Sequence, residues 1–333
     1  MKSKKKVLIT GGNGFAGSHL IDFILEEKTD YAVYCIISSR LSDRKKIAHI
    51  VDHPRFHEVI CDLKESVTTS ELLENIKPDL IFHLAAQSFV PASWQFPQLT
   101  IDTNIKGAIN LMESMRLHCP KAKLFVCGTA EEYGLAQKPW RPMPEHQVLN
   151  PNNPYGVTKM AQEYMGRVWH ASFGLNILLA RPFAHEGPRR GKEFATSDFA
   201  LQVLAIQRGL QKPLINYGSL ETVRDYMHIK DMVRLYWDAL NANFKPGEAY
   251  NFSTGKETTI GNLINTFLKV ADLKQVKLKL HPKLVRPTQA SYLVGNPTKL
   301  HKLIKRRPQY KLEDICRDML AYWDEHFEIP PLK

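Results

Sequence analysis

The sequence predicts an α/β protein, a doubly wound parallel sheet followed by a smaller C-terminal α/β lobe. Three observations point there. A glycine cluster separates a β-branched run from a helical apolar pattern near the N-terminus, and strand-length apolar runs then alternate with helical stretches. Those runs are continuously apolar, as strands covered by helices on both faces are, not alternating as half-exposed strands are. The 333 residues, 44% hydrophobic and 24% charged with 18 Gly and 20 Pro, form a globular composition that excludes disordered, collagenous and coiled-coil classes.

Taken in order, the run 6–10 predicts the first strand, 11–17 a turn, and the spacing of Leu20, Ile21, Phe23, Ile24 and Leu25 the first helix. Further strands are expected at 31–37, 58–60, 80–85, 124–127 and 177–180, with helices notably at 103–117 and 154–172 between them. Beyond about residue 182 the alternation gives way to loops, helices at 231–240 and 260–270, and a short strand at 249–252, assigned to the C-terminal lobe. The expected division is a mainly cofactor-binding part, 1–182, and a mainly substrate-binding lobe, 183–333, with some chain crossing back. No repeat or Gly/Ser linker separates them, so the two parts should close on a cleft, where ligands belong.

The formal charge of +11, from 45 Lys+Arg against 34 Asp+Glu, is compatible with an anionic partner. Nucleic acid is not the expected one, because a dianionic diphosphate is attracted equally by such a field and the motifs below suit it better. The start MKSKKKVLIT lacks the apolar stretch of a secretory signal, and no run reaches the length of a membrane span, so a cytoplasmic location without membrane partners is expected. Five cysteines without a CxxC spacing argue against a disulfide framework, and thirteen histidines without an HxH or HxxxH pair predict no metal site.

Chemistry concentrates in a few places. In Gly11-Gly12-Asn13-Gly14-Phe15-Ala16-Gly17, glycines recur between a strand and a helix, where they permit a tight turn and bring backbone amides close to a pyrophosphate. Gly11, Asn13, Gly14, Phe15 and Gly17 are therefore candidate cofactor contacts. The second strand ends Ser38-Ser39-Arg40, without the carboxylate that would hold the ribose hydroxyls of NAD, and Ser38 and Arg40 suit the 2′-phosphate of NADP. Asp62 and Leu63 stand where the adenine would be contacted, and Leu84, Ala85 and Ala86 supply small side chains along the dinucleotide. Tyr155 and Lys159 lie one turn apart at the start of a helix, so that an ammonium should lower the pKa of a phenol that exchanges a substrate proton, while also holding the nicotinamide ribose.

With Thr129 on the preceding strand end, this set resembles the extended short-chain dehydrogenase/reductase family of nucleotide-sugar enzymes over nearly the whole chain. The resemblance implies a Rossmann domain, a sugar-nucleotide lobe, a nicotinamide cofactor and a homodimer or homotetramer. Within the family, Thr129-Ala130-Glu131-Glu132-Tyr133-Gly134 and His185-Glu186-Gly187-Pro188-Arg189-Arg190-Gly191 are similar to segments of the 4,6-dehydratases that act on GDP-mannose. What this implies is C4 oxidation with Tyr155 taking the hydroxyl proton, Thr129 bonding the C4 oxygen, Glu131 removing the C5 proton with loss of water, and hydride return to C6. Ser88, Glu186, Arg224 and Arg286 are implied as substrate contacts. Ala184, Asp198 and Gln289 depart from the dehydratase pattern, and Asp198-Phe199 resembles the sister reductases of GDP-4-keto-6-deoxymannose. A reductase or epimerase of the same family stays the alternative.

Overall fold

The computed structural model describes residues 4–135, 140–285 and 290–327. Strands β1 (Lys5–Thr10), β2 (Tyr31–Ile37), β3 (Phe56–Ile60), β4 (Leu80–His83), β5 (Lys123–Cys127) and β6 (Asn176–Pro182) pair in parallel, with Ala249–Phe252 as the seventh strand beside β6. From one edge the order is β3, β2, β1, β4, β5, β6 and Ala249–Phe252. Between β1 and β4 the chain's progress across the sheet reverses, and helices leaving neighbouring strands there diverge to opposite faces. This opens a crevice at the carboxyl ends of the strands, the binding position of Rossmann folds.

Successive strand residues feed opposite layers, which is why both parities are apolar. Val7, Ile9, Phe82 and Phe125 pack on the layer of α1 (Phe15–Glu27) and the helix Ile229–Asn241. Leu8, Ile81, Leu124 and Val126 pack on the other layer, formed by α2 (Ser66–Ile76) and the helices Gly107–His118 and Pro154–Phe173. The expected strand 80–85 ends at His83, because Leu84, Ala85 and Ala86 leave the sheet to line the crevice. Expected helix 103–117 begins as a π-helical turn, Asp102–Lys106, before the regular helix Gly107–His118.

Two elements correct the sequence reading. The helix Ile229–Asn241 and the strand Ala249–Phe252, assigned above to the C-terminal lobe, complete the first sheet and one of its covering layers. Trp237 on that helix packs its ring against Phe23, Tyr31 and Phe82, at centroid distances of 6.2, 4.9 and 6.2 Å. The rest of the C-terminal portion builds its own core from the helices Ala195–Gln207, Ile260–Val270 and Leu312–Glu325, around Phe199, Leu263, Phe267, Ile315 and Met319. Among the described residues no helix is long and apolar enough to cross a membrane, and no His, Cys, Asp and Glu cluster could hold a metal ion.

Candidate active site

A cavity of about 1080 Å³ runs from the glycine turn across the ends of β1, β4 and β5 to the C-terminal core. Gly11, Asn13, Gly14, Phe15, Gly17, Ser38, Asp62, Leu63, Leu84, Ala85, Ala86, Ser88, Thr129, Glu131, Tyr155, Lys159, Glu186 and Arg224 all line it. Arg40 does not. Its side chain is exposed and its carbonyl accepts from Arg44 Nη1 at 2.7 Å, so Arg40 does not line the cavity as expected. Arg286 and Gln289 lie outside the described residues.

The glycine turn fits a dinucleotide for steric and electrostatic reasons. Gly11 has φ +68, and a Cβ there would lie 2.8 Å from the Ala85 backbone. A Cβ at Gly17 would lie 2.3 Å from the Gly11 carbonyl oxygen, so the turn can close only with hydrogen at that position. α1 opens at Gly14 with no side-chain cap and no acid in its first turn, leaving its amides and positive dipole end for phosphate oxygens.

Tyr155 and Lys159 are presented by the helix Pro154–Phe173, which Asn153 caps by accepting from the Gly156 amide at 2.8 Å, with Pro154 in the first turn. Thr158 Oγ1 donates to the Tyr155 carbonyl and accepts from Asn104 Nδ2 at 2.9 Å, which ties this turn to the π-helical segment. Lys159 Nζ donates to the Cys127 carbonyl at 2.6 Å and to Gln162 Oε1 at 2.9 Å. The expected lowering of the phenol by this ammonium does not prevail in the protein alone. Burial raises the Tyr155 phenol above its ordinary range, Cys127 acts in the same sense, and the bond with Thr129 opposes them, while Glu132 and Glu131 raise it further. Burial also lowers the Lys159 ammonium, against the raising effect of Cys127 and Glu132.

Thr129 caps the short turn Ala130–Tyr133, and of its two glutamates Glu131 lines the cavity while Glu132 is fully buried behind it. Asn153 Nδ2 donates to Glu131 Oε2 at 2.9 Å, which joins the turn to the capped helix. Sequence reasoning overlooked Asn153, although an Asn before a helix-opening Pro is a readable cap. It also did not single out Cys127, which lines the cavity, as does Arg190 of the His185–Gly191 segment, whose guanidinium lies 3.6 Å from the Phe194 ring centroid and 5.0 Å from that of Phe15. At the substrate end Glu186 accepts from Thr196 Oγ1 at 2.6 Å and pairs with Arg190 at 3.3 Å. Ala184, one of the departures from the dehydratase pattern, also lines the cavity.

The family model described as GDP-mannose 4,6 dehydratase matches residues 8–319. The chain belongs to the GDP-mannose 4,6-dehydratase family. A GDP-mannose 4,6-dehydratase of Vibrio cholerae is 30% identical, covering 95% of this chain and 93% of its relative. A GDP-6-deoxy-D-mannose reductase of Pseudomonas aeruginosa is 26% identical over 96% of this chain and 97% of the relative. The solved structure of RMD from Pseudomonas aeruginosa complexed with NADPH matches the fold with a TM-score of 0.82 and 24% identity, covering 97% of this chain and 99% of that one. GDP-mannose 4,6-dehydratase family membership thus accords with the Rossmann sheet and with the threonine, tyrosine and lysine lining one cavity.

Proposed function

We propose that the chain is a redox-neutral nucleotide-sugar 4,6-dehydratase, converting GDP-mannose or a related GDP-sugar to its 4-keto-6-deoxy product with NADP as cofactor. The observation that carries the reading is Glu131, a carboxylate held by Asn153 at the cavity wall beside Thr129 and Tyr155. Tyr155 takes the proton of the C4 hydroxyl, with Thr129 bonding the same oxygen. NADP, when bound, would serve as a reversible hydride store, filled from C4 and emptied to C6 within one turnover. Once C4 is a ketone the C5 hydrogen is acidic; Glu131 removes it and passes it to the C6 hydroxyl, which leaves as water, and as hydride returns to C6 a proton returns to C5, balanced by the one Tyr155 took from the C4 hydroxyl. Glycines 11, 14 and 17 and the α1 N-terminus hold the pyrophosphate, Lys159 the nicotinamide ribose, and Ser38 at the end of an acid-free β2 supports NADP over NAD. Asp62, Leu63, Leu84, Ala85 and Ala86 complete the dinucleotide contacts, while Ser88, Glu186 and Arg224 contact the substrate, so that the part up to residue 182 mainly binds cofactor and the remainder mainly substrate.

The same reading includes a homodimer or homotetramer, supported by exposed Leu99 and Ile101 beside exposed Val157, Tyr164 and Val168 along one face of the helix Pro154–Phe173. A cytoplasmic location is part of it, supported by five unpaired cysteines. The test is incubation with GDP-mannose without added NAD(P)H, followed by mass spectrometry; loss of one water is expected. The cavity-lining Asp198 favours the reductase as second reading, for which NADPH-dependent consumption of GDP-4-keto-6-deoxymannose, with no dehydration, is the decisive result.

A further inference from the structure

Behind the cavity wall lies a buried ionic cluster that this chemistry leaves unused. Glu132 is wholly inaccessible. Its Oε1 accepts from the Thr129 amide at 2.7 Å, while its Oε2 has no hydrogen-bond partner and stands 3.8 Å from Arg181 Nε. Arg181, on β6, donates from Nε and Nη2 to the two Glu163 oxygens at 2.7 Å each, and from Nη1 to Tyr133 Oη and the Glu145 carbonyl at 2.9 Å each. Glu163 follows Tyr155 and Lys159 at one-turn spacing on the same helix, so Arg181 is joined to the helix through Glu163 and to the turn through Tyr133, with Glu132 against it. Gly128 leaves the space: a Cβ there would lie 2.3 Å from Glu132 Oε1.

Glu163 is shared between Arg181 and Arg167, whose Nη2 donates to Glu163 Oε1 at 2.7 Å, and Glu132 stands beside it as a second buried carboxyl group. Burial, and then Glu163, hold the Glu132 carboxyl well above the usual range against the pull of Arg181. We propose that Glu132 is a positioning residue that, through Arg181 and Glu163, seats Thr129 and Glu131 against the Tyr155 and Lys159 face of the helix, a role that rests on reading those four as the reacting groups.

The test compares Glu132→Gln and Glu132→Leu in the full chain, with GDP-mannose as substrate. The glutamine keeps the acceptor for the Thr129 amide and the length of the side chain, so kcat stays within about threefold of wild type. The leucine loses the seat, and kcat drops about 100-fold, the scale of a small misplacement at a reacting centre, while KM and the melting temperature hold. A leucine variant with wild-type kcat overturns the proposal. So does one whose loss of activity tracks a lower melting temperature and is shared by the glutamine variant. If wild type turns over neither GDP-mannose nor GDP-4-keto-6-deoxymannose, the functional reading fails, and amide hydrogen exchange decides the positioning. Thr129 and Glu131 amides that are protected in wild type, opened by leucine and restored by glutamine support it, and unchanged protection overturns it.

Discussion

Two adjacent glutamates illustrate how much a single backbone step decides. Glu131 faces the cavity with Asn153 on its Oε2, and Glu132 turns inward to the Thr129 amide. Replacing Tyr155 by Phe removes the proton exchange and should lower kcat by about 10²–10⁴-fold with the fold intact by circular dichroism. Glu131→Gln should still oxidise C4, seen as transient cofactor reduction, yet release no water; dehydration at the wild-type rate would end its assignment as the base. Asn153→Ser retains a capping oxygen for Gly156 but loses the donor to Glu131, so stability should hold while kcat falls, whereas Asn153→Ala should also cost about 1 kcal/mol in denaturant unfolding. His83 carries a pH signature. Burial, with Lys159 adding, pulls its imidazole down to about 3, and its Nδ1 is bonded to Thr10 Oγ1. The unfolded chain takes up this proton near pH 6.5 and the folded one does not, so the stability is full above 6.5 and is lost as pH falls from there toward 3. Between pH 7 and 5 wild type should lose about 2 kcal/mol more than His83→Asn in urea unfolding.

Among elements, those with an unmistakable local pattern were legible in the sequence. β1, β2 and β6 were read because strands buried on both faces leave unbroken apolar runs, and the helix Ile260–Val270 because its apolar residues keep one face. The helices Ser66–Ile76 and Ala195–Gln207 went unnamed for opposite reasons. The first is rich in Ser and Thr, which favour caps and turns, and the second is buried on nearly every side from Thr196 to Ala205, so it has no polar stripe to mark its period. The glycine turn was legible as a motif, and its closeness yields a prediction at this scale. In Gly17→Ala the new Cβ meets backbone at 2.3 Å from the Gly11 oxygen and 2.7 Å from Gly12 Cα, atoms that cannot yield as a flexible side chain does. The rise in melting temperature that NADP gives the wild type should be absent in this variant, as followed by thermal denaturation.

The whole molecule is held together by chain that crosses between its parts. A fragment ending at residue 182 would lack both the helix Ile229–Asn241 and the strand Ala249–Phe252, exposing the sheet face that Trp237, Tyr236 and Leu235 cover. It should show no cooperative unfolding transition, and in the full chain Trp237→Ala should cost about 3–5 kcal/mol, measured in denaturant. By itself the sequence determined the fold class, the glycine turn and the spacing of Tyr155 and Lys159, because periodicity, turn chemistry and helical rise act over a few neighbouring residues. Only the tertiary structure decided that Arg40 stays outside the cavity, that Glu132 is buried against Arg181, and that a helix beyond residue 228 roofs the first sheet. Each of these depends on contacts between residues far apart in the chain, whose free energy appears only once the sheet has brought them together.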